Sequence, residues 1–371
     1  MEKTTLAAGT TLLVSGPASL MLIDGEAEVL GAPIEKEEKL LVREEKQIPI
    51  EAVTDSIIQI SLGDVASCTE IQGTTIPSSW KSLAEATLEM PNPKILTIGT
   101  TDSGKSTLCT FLANMLLEKH PRVYVIDADV GQSDIGPPAT IGLGVTEEYV
   151  SSLAELDPFS MFFVGHTSPT PARDKVIYGI RRLMELASTN GDPLIMNTDG
   201  WISGEDACTF KARMINEVCP SLVAAIQTDK ELNPIVETTK TPTVIVQSPT
   251  AAKKRDREER RRLRELSYRK HLTGAIFRSL DFNKLRLVGA EVRNGRLKAA
   301  SQRLHSMIGF LNENDLLLGI GVLTGVGQKE GAMKVYTPFR GPARTIEFSS
   351  VRLDLSGREL PDAEDYCLHP V

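Results

Sequence analysis

Gly99-Thr100-Thr101-Asp102-Ser103-Gly104-Lys105-Ser106 is a glycine-bounded run ending in a lysine and a hydroxyl, between a short apolar stretch and an amphipathic one. Glycines let backbone N–H groups curl around phosphate oxygens, and a helix starting here adds its partial positive charge. In that arrangement Lys105 reaches the β and γ phosphates, Ser106 holds Mg²⁺ through its hydroxyl, and Gly99 to Thr107 make the nucleotide contacts. A nucleoside triphosphate site is expected. No Asn-Lys-x-Asp element for reading guanine occurs, the nearest stretch being Gln227-Thr228-Asp229-Lys230. ATP, or a relaxed purine preference, is therefore expected over strict GTP.

A later apolar run ends Val125-Ile126-Asp127-Ala128-Asp129-Val130-Gly131-Gln132. Carboxylates at the carboxyl end of a strand beside a phosphate loop stand where metal and attacking nucleophile meet. Strand alternation points Asp127 and Asp129 to the same side, so both are assigned to the metal, with Asp129 as general base. For a lone strand-end aspartate the competing role is a cap or turn. Trp201 follows Thr198-Asp199-Gly200 at the end of another apolar run. At the ligand edge of a sheet its ring can stack on a nucleobase, worth about 1–3 kcal/mol; packing between helix and sheet is the alternative.

Residues 253–270 hold ten Lys or Arg against four Asp or Glu. On a helix Arg257, Arg260, Arg261 and Arg264 share a face, with Glu258, Glu259 and Glu265 available for local ion pairs. The run is either a solvated helix or a mobile lid whose arginines neutralise charge on a transferred phosphoryl group. His120, His166, His271, His305 and His369 have no metal-ligand spacing and read as structural or surface residues.

These groups need a scaffold. At about 150 residues per domain, 371 residues predict two to three domains. Short apolar runs with turns between them (Thr11 to Val14, Leu20 to Ile23, Asp24-Gly25, Ala27 to Leu30, Ile57 to Leu62) predict an N-terminal β domain over 1–78. Ser79 to Met90 has helical spacing and stops at Pro91 and Pro93. Between Lys94 and Ser248 the runs 95–98, 123–126, 162–164, 194–197, 222–227 and 243–247 alternate with amphipathic segments. That is the pattern of an α/β domain, a P-loop NTPase-type parallel sheet covered on both faces. The helix after the first run carries the stripe Leu108, Phe111, Leu112, Met115 and Leu116. The α/β domain is expected over 79–275. Strands return from about Leu285, with an Asn294-Gly295 turn, predicting a C-terminal β domain over 280–371.

The formal charge of −8 argues against broad nucleic-acid binding. Residues 253–270 contribute +6, however, so the remainder carries −14 and the average conceals a basic element beside the proposed site. Contact with the end of a strand needs only a few phosphate contacts. Cys68, Cys109, Cys208, Cys219 and Cys367 form no Cys-x-x-Cys pair, which favours a reducing interior over a disulfide framework. Leu6 to Ile23 is too interrupted by glycine, serine and proline for a signal or anchor. A cytoplasmic protein without a membrane partner is expected.

The phosphate loop, Asp127-x-Asp129-x-Gly131-Gln132, Gly165-His166-Thr167-Ser168-Pro169, Thr198-x-Gly200-Trp201 and the arginine run together resemble the polynucleotide 5′-hydroxyl kinase family. The family contains the kinase subunit of eukaryotic pre-mRNA cleavage factor, the kinases of ribosomal RNA processing and shorter archaeal relatives, and it too flanks its core with β domains. The resemblance implies that Lys105 and Ser106 bind triphosphate and metal and that Asp129 activates the terminal hydroxyl. It further implies that Thr198, Gly200 and Trp201 clasp the first nucleotide and that Gln132 holds substrate or γ-phosphate. Arg255 and Arg260 look like the family's paired lid arginines; Arg257 and Arg262 fit the same interval.

The expected activity is transfer of the γ-phosphoryl group of ATP to the 5′-hydroxyl of RNA or DNA, with RNA-processing proteins as partners of the β domains. The rivals are an ATP-binding scaffold without turnover and a partner-driven P-loop ATPase.

Overall fold

The structure, a computed structural model, describes residues 2–44, 46–187, 191–252, 254–293, 296–297, 303–327 and 331–361. Lys253, the expected Asn294-Gly295 turn, Cys367 and His369 lie outside the described residues. The chain divides into two compact units. One comprises Met1–Val125, Val145–Leu156 and Ala187–Lys254, the other Ile126–Gly144, Asp157–Leu186 and Arg255–Val371.

The first unit opens with two antiparallel sheets. The four-stranded one runs in the order Glu2–Leu6, Ser56–Leu62, Ala18–Asp24, Lys39–Val42, and the five-stranded one in the order Ala32–Pro33, Ala27–Val29, Gln47–Ala52, Thr10–Ser15, Ser67–Gln72. Alternate residues bury: Leu12 and Val14, Ile48 and Ile50, Ile58 and Ile60. That alternation is what a sheet with one face on a core requires. The α/β part of this unit sets Lys94–Gly99 between the parallel strands Leu194–Thr198 and Leu222–Ile226, with Thr243–Val246 beyond the latter. Leu194–Thr198 and Leu222–Ile226 are buried at every position. This matches their continuous apolar runs.

Helix Lys105–Leu117 buries the predicted stripe at Leu108, Phe111, Leu112 and Leu116, but also Cys109, Thr110, Ala113 and Asn114. It is enclosed on more than one face because the N-terminal β domain covers it. Asn114 Nδ2 donates to Leu30 O and to Val150 O at 2.9 Å each, and Asn114 Oδ1 accepts from Val150 N at 3.0 Å.

In the second unit, Pro158–Phe163 runs antiparallel to Thr140–Thr146. The sequence predicts the segment around Phe162 as one more parallel strand and does not predict Thr140–Thr146. The two are joined by a short loop with a single 3₁₀ turn, Leu153–Glu155, and antiparallel pairing needs no helical crossover. Helix Arg257–His271 starts with a reciprocal capping box, Asp256 accepting from Glu259 N and Glu259 accepting from Asp256 N. Its far end is rooted in the C-terminal β domain: Tyr268 and Leu272 pack with Met307, Leu311, Ile320, Val322 and Leu353. That domain is a six-stranded sheet in the order Ile276–Asp281, Ala332–Thr337, Leu317–Val326, Ser306–Leu311, Thr345–Arg352, Arg286–Val288. In chain order, an α/β core is thus flanked by β domains.

None of the described cysteines forms a disulfide. No helix of the described residues is long and apolar enough to cross a membrane. The Asn114 bridge carries a stability prediction. Asn114→Leu keeps the volume but strands two buried carbonyls and an N–H, and should cost about 3 kcal/mol. A urea midpoint equal to wild type would contradict this role.

Candidate active site

In the first unit, strand Lys94–Gly99 delivers the chain into the phosphate loop and helix Lys105–Leu117 receives it. Gly104 stands at the helix start with φ +97°, a left-handed conformation that L side chains rarely adopt, and a Cβ there would meet the Pro249 ring at 3.0 Å. No side chain caps this helix and no acidic residue lies in its first turn. Its first amides and partial positive charge are therefore suited to an anion. Lys105 is 6% exposed, and its Nζ donates to Thr100 O at 2.6 Å. Ser248 Oγ donates to Ser103 O at 3.0 Å, tying the loop to the chain beyond Thr243–Val246. Ser106 Oγ accepts from Asn197 Nδ2 at 3.2 Å.

The Thr198-to-Trp201 element lies against this loop. Thr198 is buried, and its Oγ1 donates to Thr97 O at 2.7 Å in the strand that carries the loop. A Cβ on Gly200 would stand 2.4 Å from both N and Oγ1 of Thr101. Only a glycine lets the two backbones approach this closely. Trp201 is half-buried, its ring 5.8 Å from that of Phe210 at 30°, and its backbone N–H donates to Asp199 Oδ1 at 2.9 Å. The other tryptophan, Trp80, is core: its Nε1 donates to Gln247 O at 2.8 Å and its ring lies 6.1 Å from Phe111.

In the second unit, Asp127 is fully buried. Its Oδ1 accepts from Asp129 N at 3.2 Å, and its Oδ2 from Asp134 N at 2.5 Å and Ile135 N at 3.3 Å. Its carboxylate therefore organises the loop after the strand, a role that alternation along the strand does not suggest. Asp129 is half-buried, and its Oδ1 accepts from Gly131 N at 3.1 Å and Gln132 N at 3.0 Å. Gln132 Nε2 donates to Gly131 O at 2.7 Å and to Arg260 O at 3.1 Å, joining this loop to helix Arg257–His271.

Burial separates the crowded arginines. Arg255 and Arg260 are half-buried, whereas Arg257 and Arg262 are exposed. Arg264 donates to both oxygens of Glu359, at 2.5 and 2.8 Å, and Arg261 Nε to Glu265 Oε1 at 3.1 Å. The helix is thus docked on the segment that follows the last strand; the sequence leaves both a solvated helix and a mobile lid open for it. The Gly165-to-Pro169 loop is fastened too: Ser349 Oγ donates to Gly165 O at 2.7 Å, and His166 Nδ1 lies 2.8 Å from Ser350 Oγ. Burial, with the nearby Lys175 charge, lowers the His166 pKa.

Residues 99–274 match the family described as mRNA cleavage and polyadenylation factor CLP1 P-loop. That segment is similar to the CLP1 P-loop family. A polyribonucleotide 5′-hydroxyl-kinase of Pyrococcus furiosus is 29% identical over 336 residues, covering 77% of this chain and 95% of its own. Another so named, from Methanocaldococcus jannaschii, is 27% identical over 321 residues, covering 72% and 89%. The Clp1p chain of a solved Clp1p–Pcf11p complex superposes with a TM-score of 0.75 at 15% identity, covering 95% of this chain and 97% of its own. This last likeness is one of fold.

Every predicted site residue lies in the segment that matches the CLP1 P-loop family. Sequence reasoning overlooked three others. Asn197 ends the strand before Thr198 and bonds Ser106. Asp199 and Lys211 form a buried ion pair at 2.8 Å. Lys211 was detectable: it falls in the helical stripe Ala207, Phe210, Met214, Ile215, Val218, at a position where a core residue belongs. The Gly200–Thr101 contact yields a prediction for the phosphate loop. Gly200→Ala must push Thr101 aside, and should weaken ATP binding about tenfold (about 1.4 kcal/mol) while the protein stays folded. Calorimetric titration giving a wild-type Kd would show that the contact does not shape the loop.

Proposed function

We propose that this chain transfers the γ-phosphoryl group of ATP to the 5′-hydroxyl end of a polynucleotide. RNA is the favoured acceptor, in line with the names of its relatives, and DNA is the second. The observation that carries this reading is the seating of Gly200 against Thr101, which sets Trp201, a candidate base-stacking ring, one residue from the phosphate loop. A P-loop ATPase that only releases phosphate has no need of a base platform there.

In this reading the 5′-hydroxyl oxygen attacks the γ-phosphorus as its proton passes to the Asp129 carboxylate. The bond from the γ-phosphorus to the bridging oxygen breaks, and ADP leaves. Lys105, Arg255 and Arg260 offset charge on the transferred group, and positioning supplies much of the acceleration. Thr198 and Gly200 set the height of Trp201, and Gln132 holds the Asp129 loop to the arginine helix. Ser106 and Asp129 are hard oxygen donors of the kind Mg²⁺ takes alongside phosphates and water and would hold the ion, while Asp127 would shape the loop that carries Asp129. When bound, the ion neutralises charge on the β and γ phosphates. A kinase domain over 79–275, β domains that also dock RNA-processing proteins, and a cytoplasmic setting complete the proposal. The solved Clp1p–Pcf11p complex supports a protein partner.

The test is incubation with γ-labelled ATP, Mg²⁺ and a 5′-hydroxyl oligoribonucleotide or its DNA counterpart. Label should appear on the oligonucleotide, and Lys105→Ala should lower transfer at least about 1000-fold. Label released as free phosphate would favour an ATPase. Label still on ATP would favour a scaffold. Near-normal transfer by Lys105→Ala would remove the site assignment.

A further inference from the structure

We infer that Lys211, acting through Asp199, is the positioning residue that fixes Trp201 for the acceptor strand; this rests on the kinase reading. Lys211 is 0% exposed and Asp199 5% exposed. The Lys211 ammonium donates to two atoms of the same partner, Asp199 Oδ2 at 2.8 Å and Asp199 O at 3.0 Å. A single cation thus holds both the side chain and the carbonyl of the residue immediately before Gly200, so it sets the direction in which the chain leaves the strand. The other carboxylate oxygen, Oδ1, accepts the Trp201 N–H. Lys211 also lies 5.6 Å from the centroid of the Phe210 ring, and Phe210 is the ring against which Trp201 packs. Trp201 is therefore held twice from one residue, through its backbone by way of Asp199 and through its ring by way of Phe210.

Stability alone does not account for such a pair. Desolvating two charges costs about as much as their attraction returns, and apolar replacements of buried pairs are often neutral. What a buried pair supplies that a methionine cannot is one geometry: the polar turn Asp199-Gly200 must be hydrogen-bonded to be buried at all. Here the geometry specified is that of the loop carrying the ring proposed to stack on the first base.

The experiment compares the wild type, Trp201→Ala, the double variant Lys211→Met with Asp199→Asn, and the triple variant. The double variant removes both charges, so no lone buried ion remains, and the introduced amide keeps an acceptor for the Trp201 N–H. It should stay folded but melt below wild type, since the buried Asp199 carbonyl loses its donor. Its KM for a 5′-hydroxyl oligoribonucleotide should rise at least tenfold, with KM for ATP within twofold. Adding Trp201→Ala to the double variant should raise the oligonucleotide KM no further, because both changes remove the same contact. An active wild type together with an unchanged oligonucleotide KM in the double variant would overturn the inference, as would equal rises in both KM values or independent, multiplying effects in the triple variant. A wild type that transfers nothing to the oligonucleotide would instead remove the kinase reading, and the inference with it.

Discussion

A phosphate-binding loop works only if its backbone amides stay turned toward the ligand, and an isolated glycine-rich turn has no reason to hold that shape. Here the shape is imposed from outside the loop. Thr198 bonds the strand that delivers it, Gly200 presses on Thr101, Ser248 holds Ser103, and the Pro249 ring lies where a side chain on Gly104 would be. Each of these neighbours comes from the end of a parallel strand, so the sheet's carboxyl edge is the mould of the site. The same constraint explains why Thr198 and Gly200 are small: one must reach a carbonyl and the other must leave room for a backbone.

The flanking β domains have structural work within their own units. The N-terminal domain covers helix Lys105–Leu117 and binds Asn114 through Leu30 O. The C-terminal domain buries Tyr268 and Leu272 and follows its last strand with Glu359, which grips Arg264. The arginine helix is consequently anchored at its root, while Gln132 holds it near its start.

Much of this was readable from residue order. Glycine and lysine spacing marked the phosphate loop, unbroken apolar runs marked the strands Lys94–Gly99, Leu194–Thr198 and Leu222–Ile226, and alternation marked the N-terminal sheets. Other features escaped because their cause is non-local. Thr140–Thr146 contains Gly142 and Gly144, which weaken a strand signal, and nothing local tells its antiparallel pairing. Alternation placed Asp127 on a side but could not reveal that residues 129–135 fold over it. Interval-five spacing left Arg255 and Arg260 level with Arg257 and Arg262, and only burial distinguishes them. Lys211 showed the one local clue that was available, a charge inside an apolar stripe.

The acidic total of −8 coexists with a basic helix whose outward residues Arg257, Arg261 and Arg262 are exposed. That combination suits a protein that meets a strand at its end and does not coat its length. The central claim is that Asp129 receives the proton of the attacking hydroxyl, and Asp129→Asn tests it most directly. Asparagine keeps the Oδ1 acceptor that caps Gly131 and Gln132, so the loop should persist while the base is lost. Single-turnover transfer from ATP to a 5′-hydroxyl oligoribonucleotide should fall about 100-fold or more even at saturating Mg²⁺ and ATP, with metal-free nucleotide binding unchanged. Transfer within a few-fold of wild type would contradict the account.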